Sequence, residues 1–397
     1  MKFIKKNINY LYYSFSILFG KGLEYLWFFI ISYYATKQQY GDFELYKKII
    51  EFASVIVSLG FPGLIITLSK NLKEKNDFFL AGIFSSIILS VFLALLFWLI
   101  GFNYLFLIIP ILFFALFHYS NSIYQSYNLV VKGSRYASMY KNIVSILFSI
   151  SVLGFFFFIE DKEMSIVYSS YPLLILGFIY LIKDFDFGQV SSVFKRVKET
   201  LEEQYYNGTV IFITTIVNTS FLATDVFIIS YFAGSEDTRL ADYSFPLMIA
   251  SAMFIIPRTL TSVDVEDYKK SHSKFKKSAK KILWLSLLAG LGLILLYLIL
   301  INTAFTEYSN TLVIFFIILL AKFIQCVTGP YGVFLGTKGI FAYQLKVLLG
   351  SLAFNVLFSI LVFERFDLVG IAVVSLIGIL IRFIFYYIKY RNGRDLY

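Results

Sequence analysis

The chain has 397 residues, of which 59% are hydrophobic and only 15% are charged, and its formal net charge is +10. Soluble domains contain roughly 45–50% apolar and about 25% charged residues, so a water-soluble globular fold is excluded and much of the surface must face lipid. The positive charge does not require a nucleic-acid partner, because basic residues at the cytoplasmic ends of membrane helices account for it.

Apolar segments long enough to cross the hydrocarbon core, which takes about 20 residues, recur along the whole chain. Backbone groups in lipid must pair within their own segment, so these segments are predicted to be helices. The first half contains them at 11–33, 49–69, 78–100, 104–127, 139–159 and 165–182. The second half contains them at 208–232, 241–262, 282–302, 311–335, 341–362 and 368–388. The sequence therefore predicts an all-α integral membrane protein with about twelve transmembrane helices.

The distribution of basic residues predicts the orientation. With the N-terminus inside, most of the 35 Lys and Arg residues fall in cytoplasmic segments such as 183–204 and 263–281. The outer loops receive Lys37, Lys47, Lys48, Lys162, Arg239 and Arg365. This positive-inside bias predicts a multi-pass membrane protein with both termini in the cytoplasm. The run from Lys269 to Lys281 is either a topology signal or a binding site for anionic lipid headgroups.

Three matches between the two halves indicate a duplication. The segment 29–35, FIISYYA, recurs at 227–233 as FIISYFA with one change. Gly41-Asp42-Phe43 corresponds to Ala241-Asp242-Tyr243, and Gly133, Arg135 and Tyr140 correspond to Gly336, Lys338 and Tyr343. An even number of helices in each half gives a parallel repeat. We therefore predict a six-helix lobe at 1–182, a cytoplasmic basic linker at 183–206, and a second six-helix lobe at 207–397.

Charged residues inside a membrane helix are costly, about 2.5–3.5 kcal/mol at the centre of a span, so each is a candidate site residue. Lys21 and Glu24 lie three residues apart in the first span. They are either a local ion pair that allows insertion or a pair that exchanges partners with a substrate or a coupling ion. Asn218 and Asp225 lie on one face of the seventh span. This stripe indicates either a water-filled lumen or a charge buried against a base for structural reasons.

Two further groups of polar residues are candidates. His118, Asn121 and Gln125 lie on one face of the fourth span and are suited either to sugar hydroxyls or to a neighbouring helix. Lys322 lies near the middle of the tenth span, ahead of Gly329-Pro330, where the helix is expected to kink. Arg258, near a helix end, either extends to the membrane surface or attracts an anionic group.

No residue pattern indicates catalysis. The two histidines and the single cysteine form no metal-ligand spacing, and the nucleotide, metalloprotease and serine-hydrolase motifs are absent. Asp42 and Glu44 are the nearest approach to a carboxylate pair. We therefore predict no catalytic residue, no metal site and no cofactor, and a secondary transporter or flippase rather than an enzyme.

The stretch from Tyr34 to Gly63, with Tyr40-Gly41-Asp42-Phe43 and Gly60-Phe61-Pro62-Gly63, resembles polysaccharide repeat-unit (O-antigen, Wzx-type) flippases. A weaker form of it occurs around Asp225 to Tyr243, and the turn Lys132-Gly133-Ser134-Arg135 adds to the resemblance. These flippases belong to the multidrug/oligosaccharidyl-lipid/polysaccharide exporter superfamily. The implied fold is two six-helix lobes forming a V around a central cavity, lined by the first, second, seventh and eighth helices.

The resemblance also implies a substrate, an undecaprenyl diphosphate-linked oligosaccharide for O-antigen, lipopolysaccharide or capsule synthesis. Lys21, Glu24, Asp225 and Arg258 would lie on cavity helices, with Glu24 or Asp225 taking a proton or sodium ion as the driving ion. The implied partners are the lipid-linked glycan and the bilayer, with a polysaccharide polymerase and a chain-length regulator as further expected partners. The alternative is a multidrug or cation antiporter of the same superfamily.

Overall fold

A computed structural model describes residues 19–67, 71–99, 101, 104–118, 122–184, 190–234, 237–257, 260–261, 268 and 271–392. Nearly all of these residues are helical and none of them is in a β-strand. Contacts divide the chain into two compact units. The first unit comprises Met1–Ile31 and Asp42–Thr219, and the second comprises Ser32–Gly41 and Ser220–Tyr397.

The first half of the chain forms eight helices. They are α1 (19–34), α2 (Lys37–Val57), α3 (Phe61–Thr67), α4 (Leu72–Leu99), α5 (Ile108–Phe113), α6 (Ile123–Val131), α7 (Ser134–Phe158) and α8 (Ser165–Asp184). A π-helical turn at Phe114–His118 follows α5 directly. Single 3₁₀ turns at Leu105–Leu107 and Lys162–Met164 lead into α5 and α8.

Within the described part of the second half there are five helices of ten or more residues, and shorter helical pieces occur at 255–257 and 260–261. The five longer helices are α9 (Val190–Ala233), α10 (Arg239–Ser251), α11 (His272–Thr303), α12 (Leu312–Thr337) and α13 (Phe341–Asn392). Asp367 has a φ of 50° and interrupts α13, which separates it into two helical parts. A 3₁₀ turn at Thr306–Thr311 joins α11 to α12.

Nine helical stretches among the described residues are long and apolar enough to cross a membrane. The last of them, Phe341–Asn392, covers two predicted spans, and α1 and the α2–α3 pair correspond to the first two predicted spans. Serine and threonine side chains inside these helices bond to carbonyl groups one turn earlier, as Ser54, Thr224 and Ser351 do. Their hydroxyl groups are therefore satisfied without a partner helix. The prediction of an all-helical membrane protein is confirmed.

The prediction of a loop from Lys37 to Lys48 is wrong, because this segment forms the first half of α2. Its charges pair along the helix at spacings of three residues, as Lys47 does with Glu44 and Lys48 with Glu51. Such pairs neutralise one another on a helix surface, so the helix continues through a sequence that looks too polar for a span. Leu59 and Gly60, both with positive φ, then separate α2 from α3.

The predicted linker is helical from Val190 and continues without interruption into the seventh predicted span. Arg196 in this segment donates two hydrogen bonds of 2.7 Å to the two carboxylate oxygens of Asp77 at the start of α4. This paired geometry is the strongest arrangement for arginine and a carboxylate. The hydrogen bonds that Arg196 donates to Asp77 raise the pKa of Arg196, so the guanidinium stays charged. The linker helix is therefore fastened to the first unit.

The three pairs of matching segments occupy matching places in the secondary structure. The segments 29–35 and 227–233 end α1 and α9, while Gly41-Asp42-Phe43 and Ala241-Asp242-Tyr243 lie in the helix that follows each. Gly133 precedes α7 and Gly336 lies in the last turn of α12, so that both fall at the turn before the next helix. The kink expected at Gly329-Pro330 does not end the helix, since α12 continues through Pro330.

Candidate functional site

The second unit contains a buried carboxylate that receives hydrogen bonds from three helical segments. Asp225 on α9 is 9% exposed. Its Oδ2 accepts a 2.6 Å bond from the Tyr243 hydroxyl, and its Oδ1 accepts a 3.2 Å bond from Asn355 Nδ2. The Ser375 hydroxyl lies 2.7 Å from both carboxylate oxygens. Several hydrogen-bond donors around a buried carboxylate are expected, because burying a polar group without partners is costly.

The same cluster contains more oxygen atoms than a lone carboxylate requires. Asn355 Oδ1 lies 3.2 Å from Ser375 Oγ and 3.5 Å from Ser359 Oγ. Each hydroxyl has only one proton to donate, so Ser375, which faces three acceptor oxygens, cannot satisfy all of them at once. Each of the three oxygens also accepts a bond from another donor, namely Asn355, Tyr243 or Ser359. Their remaining lone pairs could accept a proton or a small cation.

Lys322 on α12 is the basic residue of this site. Its side chain is 9% exposed, its ammonium lies 5.3 Å from the centre of the Phe254 ring, and its charge acts on Asp225. The structure thus brings two of the predicted residues, Asp225 and Lys322, into one electrostatic group. The Lys322 charge offsets that of the carboxylate, which lowers the cost of burying both.

Sequence reasoning missed the residues that bond to Asp225. Asn355 and Ser359 stand one turn apart in α13, and Ser351 stands one turn earlier; all three are fully buried. This stripe of polar residues at intervals of four, inside an apolar span, was an available signal. Ser375 and Tyr243 carry no comparable signal, because Ser375 is isolated in an apolar stretch and Tyr243 lies beside Asp242 and Ser244 in the polar first turns of α10.

The first unit contains a second charged group, formed by three ion pairs. Lys21 and Glu24 on α1 pair with each other, with side chains 26% and 29% exposed. Lys47 and Glu44 on α2 pair at 3.2 Å with side chains only 5% and 4% exposed. Lys48 and Glu51 complete the set at 2.7 Å. The positive and negative charges are equal in number, so the group as a whole is neutral.

Glu24 connects these pairs electrostatically, since the charges of Lys47 and His118 act on it as well as that of Lys21. The Lys47 ammonium also lies 5.2 Å from the centre of the Trp27 ring. The Lys21–Glu24 pair is the most exposed of the three, and the Lys48–Glu51 pair follows at 21% and 17%. The Lys47–Glu44 pair is sealed from solvent and serves the packing of α2. Its members were missed because their segment was predicted to be a loop.

His118 belongs to the first group through electrostatics and to an aromatic cluster through packing. Its ring lies 4.1 Å from the Phe148 ring centre and 4.5 Å from that of Phe114. It ends the π-helical turn, an irregularity that often marks functional sites. Its buried Nδ1 makes no hydrogen bond within the described part of the chain.

The remaining predicted residues are dispersed or not described. Gln125 is half-buried in α6, where its backbone N–H bonds to Ser122 Oγ and begins the helix. Asn218 is half-buried on α9, in the portion that belongs to the first unit. Asn121 and Arg258 lie outside the described residues. No group of three or more His, Cys, Asp or Glu side chains able to hold a metal occurs among the described residues.

A sequence model of the family described as "Polysaccharide biosynthesis protein" matches residues 7–263, nearly two thirds of the chain. The chain belongs to this family. No curated protein matches the sequence.

Solved structures similar to this polysaccharide biosynthesis family protein are membrane transporters. The lipid II flippase MurJ in an inward closed conformation has a TM-score of 0.67 at 12% identity, over 96% of this chain and 87% of that one. A point mutant of the Vibrio cholerae MATE transporter VcmN gives 0.63 at 12% identity, over 99% and 97%. An inward-facing MATE family multidrug transporter of the MOP superfamily gives 0.59 at 14%, over 96% of each chain.

These similarities extend over essentially the whole chain, so they establish its fold. The chain has the transporter fold of the multidrug/oligosaccharidyl-lipid/polysaccharide exporter superfamily. The resemblance predicted from Tyr34 to Gly63 is confirmed at the level of the superfamily. Because the structural matches include both a flippase and multidrug transporters, the fold alone does not choose between those two functions.

Proposed function

We propose that this chain is a flippase that moves undecaprenyl diphosphate-linked oligosaccharide repeat units from the cytoplasmic to the outer leaflet of a bacterial cell membrane. The observation that carries the proposal is the match of residues 7–263 to the polysaccharide biosynthesis family. The chain would act before polymerisation of O-antigen, lipopolysaccharide or capsule, together with a polysaccharide polymerase and a chain-length regulator. It would carry out transport and no covalent chemistry.

The charges of the two units support an anionic lipid-linked substrate over a cationic drug. Glu24, Glu44 and Glu51 in the first unit each pair with a lysine, and in the second unit Asp225 lies in the field of Lys322. Each of these carboxylates is therefore already compensated. A pocket that concentrates cations needs negative charge in excess, whereas a diphosphate needs lysines that can exchange partners.

The Lys21–Glu24 pair is suited to that exchange. It is the most exposed of the three pairs and its partners adjoin on one turn of α1. In the proposed cycle the diphosphate pairs with Lys21 and releases Glu24, which then binds a proton or a sodium ion. Asp225, with its surplus of oxygen atoms, is the matching ion site in the second unit. The proposed mechanism is alternating access coupled to a proton or sodium gradient, with no further cofactor.

Deletion of the gene in its native host tests the function directly. We expect surface polysaccharide to be lost and lipid-linked repeat units to accumulate on the cytoplasmic face, with both restored by the wild-type gene. Normal polysaccharide together with raised accumulation of a cationic dye would overturn the proposal. That result would favour the multidrug or cation antiporter, the alternative supported by the similarity to the MATE transporters.

Complementation of the deletion by variants tests the coupling. Glu24→Gln combined with Asp225→Asn should lower polysaccharide synthesis at least tenfold, while protein abundance in the membrane is unchanged. The double variant Glu44→Leu with Lys47→Met is the matched control, since it removes a buried carboxylate of the same group together with its partner charge. Full complementation by the double variant would remove carboxylate coupling from the mechanism. In vesicles, transport driven by a proton gradient alone or by a sodium gradient alone identifies the ion.

A further inference from the structure

The first ten residues of α11 form a strongly basic surface at one end of the second unit. Lys274, Lys276, Lys277, Lys280 and Lys281 are found here, and the whole helix His272–Thr303 contains no acidic residue. All five of these lysines are exposed, while Phe275 and Ser278 between them are buried. Lysines at the N-terminus of a helix oppose the helix dipole and repel one another one turn apart. This end of the helix therefore concentrates positive charge and attracts anionic groups.

The fold brings further basic residues to the same end. The Phe275 ring lies 4.5 Å from the Phe334 ring centre near the end of α12 and 5.1 Å from that of Tyr390 near the end of α13. Lys338 lies over Phe334, and Lys389 and Arg391 flank Tyr390. A cluster of buried aromatic rings therefore holds three helix ends together. We call this surface, with the lysines of α11, the basic end of the second unit.

The basic end borders directly on surface that faces lipid. Trp284, one turn after Lys280 and Lys281 on the same face of α11, is 55% exposed, and Leu288 and Leu291 continue the exposed stripe. In a chain that spans a membrane, exposed leucines of this kind contact acyl chains, and tryptophan favours the headgroup level. The lysine ammonium groups therefore stand at the depth of the phosphate groups of the adjoining leaflet.

We propose that the basic end of the second unit binds the anionic headgroups of phospholipids such as phosphatidylglycerol in the surrounding bilayer. The continuity of the lysines with the lipid-facing stripe selects a lipid headgroup as the occupant, because a soluble acidic partner has no need of Trp284 and the leucines beside it. Each lysine near the surface strengthens attraction to anionic lipid about fivefold at low salt. The inference does not depend on which substrate the chain carries.

Trp284 provides a local probe. The chain has three tryptophans, so Trp27→Phe with Trp98→Phe leaves Trp284 as the only fluorescent one. The full chain is reconstituted in phosphatidylcholine bilayers that contain a fixed fraction of either dibrominated phosphatidylglycerol or dibrominated phosphatidylcholine. At low salt we expect brominated phosphatidylglycerol to quench Trp284 as strongly as if this lipid were enriched about fivefold around it. High salt should remove most of the difference in quenching between the two lipids.

Two matched proteins complete the experiment. Lys277→Gln, Lys280→Gln and Lys281→Gln together should abolish the preference, whereas the same three lysines changed to arginine should retain it. A protein with Trp98 alone should show no preference, because Trp98 is exposed at the end of α4, far along the helix from any charge. Equal quenching of Trp284 by the two lipids in the lysine-containing protein would overturn the proposal, as would a preference that survives the glutamine substitutions.

Discussion

Removal of one partner from the sealed ion pair of α2 should destabilise the protein far more than removal of one partner from the exposed pair of α1. Lys47→Met leaves Glu44 with its side chain 4% exposed and without its direct partner. Breaking a buried pair in this way costs about 3–5 kcal/mol. The neighbouring Lys48 also acts on Glu44, which favours the lower end of that range, and the lost contact with the Trp27 ring adds about 1 kcal/mol.

Lys21→Met is the matched comparison. The Lys21 and Glu24 side chains are 26% and 29% exposed, so water can solvate the carboxylate that remains, and a pair of this kind contributes about 1 kcal/mol or less. The two substitutions are chemically identical and differ only in burial. We therefore expect a difference of about 3 kcal/mol, which for a chain of 397 residues corresponds to a midpoint of thermal unfolding lower by about 4 °C for Lys47→Met.

The assay is heating of purified protein in detergent, followed by measurement of the fraction that remains monodisperse on size-exclusion chromatography. The double variant Lys47→Met with Glu44→Leu should recover most of the lost stability, because it removes both charges and keeps the volume. Equal midpoints for Lys47→Met and Lys21→Met would refute the role of burial. A double variant no more stable than Lys47→Met would show that the lysine acts through its packing and not through its charge.

Two further substitutions test other contacts. Tyr243→Phe removes the hydroxyl that bonds Asp225 at 2.6 Å and should cost about 1.5–3 kcal/mol of stability. Tyr308→Phe removes a buried hydroxyl without a hydrogen bond in the described structure and should be neutral or stabilising. The same thermal assay compares the two variants, and equal losses of stability would contradict the role of the Tyr243 hydrogen bond. Gly177→Ala would place a methyl group 2.7 Å from a phenylalanine ring and should cost about 1–3 kcal/mol of stability, while Gly154→Ala has open space and should be tolerated. Expression level and monodispersity distinguish the two variants. A stable Gly177→Ala protein would show that the ring moves aside.

The membrane class and the positions of the spans were predictable because they depend on local properties. Twenty or so apolar residues must form a helix in lipid whatever their neighbours are, and the predicted spans at 311–335 and 341–362 agree closely with α12 and the first part of α13. The prediction was wrong at the start of α2, where the charges from Lys37 to Lys48 looked like a loop. Pairing along the helix and across to α1 neutralises them, and hydropathy does not measure pairing.

Sequence alone determined that this chain is a helical membrane protein with an internal repeat and that Asp225 and Lys322 require partners inside the membrane. Tertiary structure alone decided what those partners are. Tyr243, Asn355 and Ser375 reach Asp225 from 18, 130 and 150 residues away, and their meeting depends on how each helix is rotated against the others. Apolar length is a property of one segment, whereas a hydrogen-bonded cluster is a property of several helices packed together.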